Sequence, residues 1–60
     1  MSSTPVRILV AEDEALIRMD LVEMLQEAGY IVCAQATNGE EAITLANEHK
    51  PDLCILDVKM

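Results

Sequence analysis

Ile8-Leu9-Val10-Ala11-Glu12-Asp13-Glu14 is an apolar run closed by consecutive acids. A run without polar alternation is the pattern of a strand covered on both faces, as in a parallel sheet sandwiched between helices. The first strand is predicted over Val6–Ala11, with Arg7 near its start able to reach solvent. A second run of the same form, Leu53-Cys54-Ile55-Leu56-Asp57, again ends on an acid and is predicted as the last strand. If the two strands lie side by side and point the same way, Asp13 and Asp57 project from one sheet edge.

The segments between them supply the crossovers. From Ala15 to Ala28, Ile17, Leu21, Met24, Leu25 and Ala28 recur at helical spacing, and Gly29 follows where a helix C′ residue takes positive φ. Asp20, Glu23, Gln26 and Glu27 occupy the opposite arc, with Leu16 among them. Glu14 and Arg18 are spaced for an i,i+4 pair. Tyr30–Ala36 is rich in β-formers but carries Gln35 and no clean alternation, which suggests a strand at the sheet margin. Asn38 is a candidate N-cap with Glu41 three residues on, opening a helix over Gly39–His49 that Lys50-Pro51 ends. His49 lies where a helix C-terminus favours it and has no partner as a metal ligand.

The order is therefore β-α-β-α-β with short connections, a parallel sheet with helical crossovers. Crossovers are right-handed, so placing the helices on opposite faces requires strand order 2-1-3. Order 1-2-3 would leave the apolar first strand at an edge. In order 2-1-3 the crevice between the C-terminal ends of strands one and three is the usual ligand position. Glu12, Asp13 and Asp57 meet there, and converging carboxylates repel one another unless a cation is present. Few carboxylates with room for water suit Mg²⁺ better than Ca²⁺. Two plainer readings stand beside this one: acids capping a helix start, and Asp57 as a turn former.

Composition sets the outer limits. The chain has 60 residues, enough for one domain with a thin core, and is 52% apolar with Tyr30 as its single aromatic. Eleven acids against four bases give a net charge of −7, which argues against a nucleic-acid or anionic-membrane surface within these residues. No apolar run approaches the roughly 18 residues that span a bilayer, no signal peptide opens the chain, and a cytoplasmic location is expected. Residues 1–5 read as a disordered leader, and 6–60 as the structured unit. Cys33 and Cys54 lie in strand-like apolar runs and are expected in the core. Their strands are separated by another, roughly 10 Å apart, too far for a disulfide.

Val10-Ala11-Glu12-Asp13-Glu14, Asn38-Gly39-Glu40-Glu41-Ala42 and Pro51-Asp52-Leu53-Cys54-Ile55-Leu56-Asp57-Val58-Lys59-Met60 together resemble the receiver domain of bacterial two-component response regulators. The resemblance runs from Val6 to the end of the sequence and implies a truncated flavodoxin-like α/β fold. That topology is itself an instance of the crevice rule, so their agreement adds no independent weight. It also implies that Asp57 is the phosphoacceptor, that Asp13 ligates Mg²⁺ with Glu12 assisting, and that the backbone carbonyl of Lys59 is a further ligand. The donor would be a phosphohistidine on a sensor histidine kinase, and the product an acyl phosphate. Leu16, with Ile17 and Asp20, is expected to dock that kinase; the plainer reading of Leu16 is an isolated exposed apolar residue.

The stretch Ala11-Glu12-Asp13-Glu14-Ala15-Leu16-Ile17-Arg18-Met19-Asp20-Leu21 further resembles receivers of actinobacterial antitermination (ANTAR-type) regulators, whose output domain binds RNA. The family's later Ser or Thr and Lys do not occur in these residues. The third strand is then a bare apolar edge, through which self-association is expected. The module is not expected to be an enzyme. A metal-dependent phosphohydrolase of the haloacid dehalogenase type needs Asp-x-Asp after strand one, where this chain has Asp13-Glu14-Ala15. A flavodoxin-like nucleotide binder needs a Ser, Thr or Gly phosphate loop in the same place. A non-catalytic dimerisation module is compatible with the main reading.

Overall fold

A computed structural model describes residues 4–57. Its elements are β1 (Arg7–Glu12), α1 (Ala15–Glu27), β2 (Ile31–Ala36), α2 (Gly39–His49) and β3 (Leu53–Asp57). The strands form one parallel sheet in the order β2-β1-β3, as the crossover argument requires. Residues 1–3 of the expected leader fall outside the described part, and Thr4 and Pro5 carry no regular structure.

The central strand explains the architecture. Ile8, Leu9, Val10 and Ala11 are all buried, and alternate residues face opposite layers. Ile8 and Val10 join Val22 of α1, flanked by Leu21, Leu25, Val32 and Ile55. Leu9 and Ala11 join Ala36 and Ala42, flanked by Ala34, Leu45 and Ala46 on the α2 side. The second cluster is built mainly of alanines, with Leu9 and Leu45 as its larger side chains. Between β1 and β2 the register slips, with Ile8 opposite Val32 but Leu9 opposite Ala34. Cys33 is the extra residue of this bulge, and its thiol donates to the Ile8 carbonyl at 3.6 Å.

Local chemistry ends each helix where the sequence indicates. Ala28 caps α1, Gly29 adopts φ 95°, the Gly29 N–H donates to Gln26 O at 3.1 Å, and the Tyr30 N–H reaches Leu25 O at 3.0 Å. This pair of bonds is a Schellman motif. Asn38 Oδ1 accepts from the Glu41 N–H at 2.8 Å, and Glu41 Oε1 accepts from the Thr37 N–H at 2.8 Å. The capping box therefore closes one residue earlier than its standard form. α2 ends on Lys50 at φ 48°, a left-handed conformation in which the Lys50 N–H still donates to Ala46 O at 2.8 Å. Arg7 ties this corner down: its N–H donates to Asp52 Oδ2 at 2.9 Å, and its Nη1 donates to the Lys50 carbonyl at 3.2 Å.

Three expectations are corrected. β1 runs one residue later than predicted, which draws Glu12 into the ladder opposite Asp57. On α1 the buried stripe centres on Val22, while Ile17 is 40% and Met24 61% exposed, because their flank has no described element against it. Cys54 is exposed rather than core, since both helices lie over β1 and β2 and leave β3 largely bare. On the α2 side this leaves an apolar cleft of about 260 Å³ lined by Gly39, Ala42, Ile43, Ala46, Cys54 and Leu56.

Substitutions at the two left-handed positions should have opposite signs. Gly29→Ala is expected to lose about 1–2 kcal/mol, because a Cβ there meets no atom within 4 Å and only the backbone conformation opposes it. Lys50→Gly should gain about 0.5–1 kcal/mol by relieving the same strain. Urea unfolding midpoints of the two variants check both signs.

Candidate functional site

The acids gather at the C-terminal edge of the sheet, where parallel strands open their usual ligand crevice. Glu12 is the last residue of β1 and Asp57 the last of β3, and they are direct partners in the ladder. Glu12 is only 2% exposed, whereas Asp13, Glu14 and Asp57 are exposed. A buried carboxylate needs hydrogen-bond partners. Glu12 Oε2 accepts from the Glu14 N–H at 2.9 Å, and the carboxyls of Asp13 and Asp57 lie near enough to perturb its ionisation. Among the described residues no buried side-chain polar atom is left without a partner.

Glu12 is thus the hub of the cluster. The Glu14 N–H draws its pKa down, but the neighbouring Asp13 carboxyl, burial, and the nearby Asp57 carboxylate together hold it above the ordinary glutamate range. Crowded carboxyl groups hold a proton more tightly, and a cation could neutralise the same charge. The donor set is wholly hard oxygen, which fits Mg²⁺, an ion that takes few protein carboxylates and keeps several waters. Among the described residues no three His, Cys, Asp or Glu side chains form a ready-made metal cage. The fit therefore rests on the oxygen chemistry of Glu12, Asp13 and Asp57 at one sheet edge.

The other residues singled out in the sequence fall as follows. Leu16 is 77% exposed on the first turn of α1, with Ile17 and Asp20 also at the surface. Lys59 lies outside the described residues. Helix capping does not account for the acids: Glu14 is the N-cap of α1 but makes no side-chain cap bond, and α1 has no acid in its first turn. Sequence spacing misses one contact. The Arg18 Nη1 donates to the Glu12 carbonyl at 2.8 Å, a contact that i,i+4 spacing to Glu14 does not foretell. No periodicity rule joins residues six apart across a strand-to-helix turn.

Residues 8–60 match the family model for the response regulator receiver domain. The chain is 61% identical over 59 residues to the transcriptional regulatory protein PdtaR of Mycobacterium tuberculosis (strain H37Rv), covering 98% of this chain and 29% of that protein. It is 43% identical over 54 residues to the chemotaxis protein CheY of Thermotoga maritima, covering 90% and 45% of the two chains. A protein-glutamate methylesterase/protein-glutamine glutaminase of Archaeoglobus fulgidus is 44% identical over 54 residues, which span 90% of this chain and 16% of the relative. The chain thus spans less than half the length of each of these relatives.

The raised Glu12 pKa gives stability a definite pH dependence. Because the folded state holds this proton more tightly than the unfolded one, its contribution is full below the unfolded glutamate value, about 4.3, and is lost as pH rises through the higher folded value. Urea titrations in chelator across that window should show metal-free stability falling with pH. Glu12→Gln should flatten the slope; an equal slope in both proteins would remove Glu12 as its source.

Proposed function

The chain belongs to the response regulator receiver domain family, and from that membership we propose that it accepts a phosphoryl group on Asp57 from a sensor histidine kinase. The observation that carries this reading is the ladder pairing of Glu12 with Asp57, with Asp13 following Glu12 at the same edge. Asp57 is exposed, as a nucleophile that meets a macromolecular donor must be. Its carboxylate oxygen attacks phosphorus, the bond from phosphorus to the donor imidazole nitrogen breaks, and an acyl phosphate is left on Asp57. Glu12, Asp13, Asp57 and the backbone carbonyl of Lys59 would hold Mg²⁺, which screens the negative charge brought together in this step.

The remaining assignments belong to the same proposal. Residues 6–60 are the N-terminal part of a receiver unit, and Leu16, Ile17 and Asp20 form the docking face for the kinase. The exposed Leu16 beside an acid supports that role. The module is a phosphoacceptor in the cytoplasm rather than an enzyme in its own right. Among the described residues no helix is long and apolar enough to cross a membrane. An RNA-binding output acting in transcription antitermination suits the fuller protein, supported by 61% identity to a transcriptional regulatory protein. The bare β3, with Leu56 65% exposed, supports self-association through that strand.

Acetyl phosphate with Mg²⁺ should add one hydroxylamine-labile phosphoryl group, read by intact-mass spectrometry. Asp57→Asn should abolish the gain and Asp13→Asn should abolish Mg²⁺ binding; incorporation that survives Asp57→Asn would move the acceptor elsewhere. Light scattering after size exclusion should find a concentration-dependent dimer that Leu56→Lys shifts to monomer. A compact monomer at every concentration would count against the β3 interface.

A further inference from the structure

The basic residues are unevenly placed. Arg7 opens β1 and Lys50 precedes β3, so both lie at the end of the sheet away from the acids. Among the described residues, Arg18 is the one basic residue at the acidic end. It is half-buried on α1, and its Nη1 donates to the Glu12 carbonyl at 2.8 Å. A charge-assisted bond of that length is among the stronger ones a side chain makes to backbone.

The acceptor is the informative part. The Glu12 carbonyl belongs to the peptide joining Glu12 to Asp13, so the bond fixes the plane from which the Asp13 side chain departs. Two further bonds close the same turn: the Glu14 N–H donates to Glu12 Oε2 at 2.9 Å, and the Arg18 N–H donates to Glu14 O at 2.9 Å. Arg18 thereby locks the strand-to-helix turn to the first turn of α1. Its guanidinium also brings positive charge to a cluster of mutually repelling carboxylates.

We propose that Arg18 is a positioning residue for the acidic site, holding the peptide between Glu12 and Asp13 so that both carboxylates converge with Asp57 on one cation. The inference rests on the reading of these acids as a Mg²⁺ site. It assigns Arg18 no contact with the phosphoryl group. Outer partners that orient ligating carboxylates affect metal affinity strongly although they never touch the ion.

The test is Mg²⁺ titration of the full chain by calorimetry, with the Asp13 and Glu14 amide resonances followed by NMR before and after metal. Arg18→Met should raise the Mg²⁺ Kd about 10-fold or more, with the far-UV circular dichroism unchanged and both amides already shifted without metal. A purely structural role would move the unfolding midpoint and leave Kd alone. If Arg18→Met does not fold, Arg18→Lys keeps charge and stem without the planar fork, and a raised Kd supports the proposal while an unchanged one overturns it. Equal affinity in wild type and Arg18→Met overturns the positioning role and leaves the Mg²⁺ reading intact. Failure of the wild-type chain to bind Mg²⁺ overturns both.

Discussion

Everything at the functional edge depends on β1 being paired on both sides. β2 and β3 reach each other only through it, and each crossover helix packs against one of its faces. A strand in that position carries apolar side chains through the layers, and only its last residue, the buried Glu12, and the exposed Asp13 beyond it are acids. The register with β3 then decides which acids meet. With Ile8 opposite Leu53, the ladder ends with Glu12 opposite Asp57, so apolar pairing four residues away sets the geometry of the carboxylates.

Much of this was legible because the signals are local or follow from chirality. The Schellman ending at Gly29, the Asn38 cap and the bounds of α2 and β3 are written in residue types whose backbone preferences are strong. Strand order follows from the apolar run at Ile8–Ala11 and the hand of crossovers. The burial of Glu12 was not legible, since an acid after an apolar run reads as the end of a strand, and only its ladder partner keeps it inside. Nor was the α1 stripe: a wheel shows that Ile17 and Met24 share an arc with Leu21 and Leu25, but which part of the arc meets the sheet depends on how the helix lies. The bond from Arg18 to the Glu12 carbonyl was not legible either, since helical spacing points Arg18 only at Glu14.

Burial is lopsided in a way that bears on the site. β1 is shielded completely, while β3, which carries the proposed phosphoacceptor, is covered mainly where Ile55 meets the α1 cluster. One half of the acidic pair is held by a packed strand and the other by a strand with an open flank. The ladder pairing of Glu12 with Asp57 therefore ties the tip of β3 to the buried central strand.

The bulge at Cys33 explains why β2 shows no alternation. Val32 faces the α1 layer, yet Ala34 and Ala36 face α2 and Gln35 is left at the surface. The extra residue resets the parity of the strand halfway along. Removing Cys33 would straighten the ladder and leave Val32, Ala34, Gln35 and Ala36 opposite the same β1 residues, whereas removing Ala34 or Gln35 would shift the pairings beyond it. The bulge is thus the one place in β2 where a single residue can be lost without exchanging the two faces of the strand.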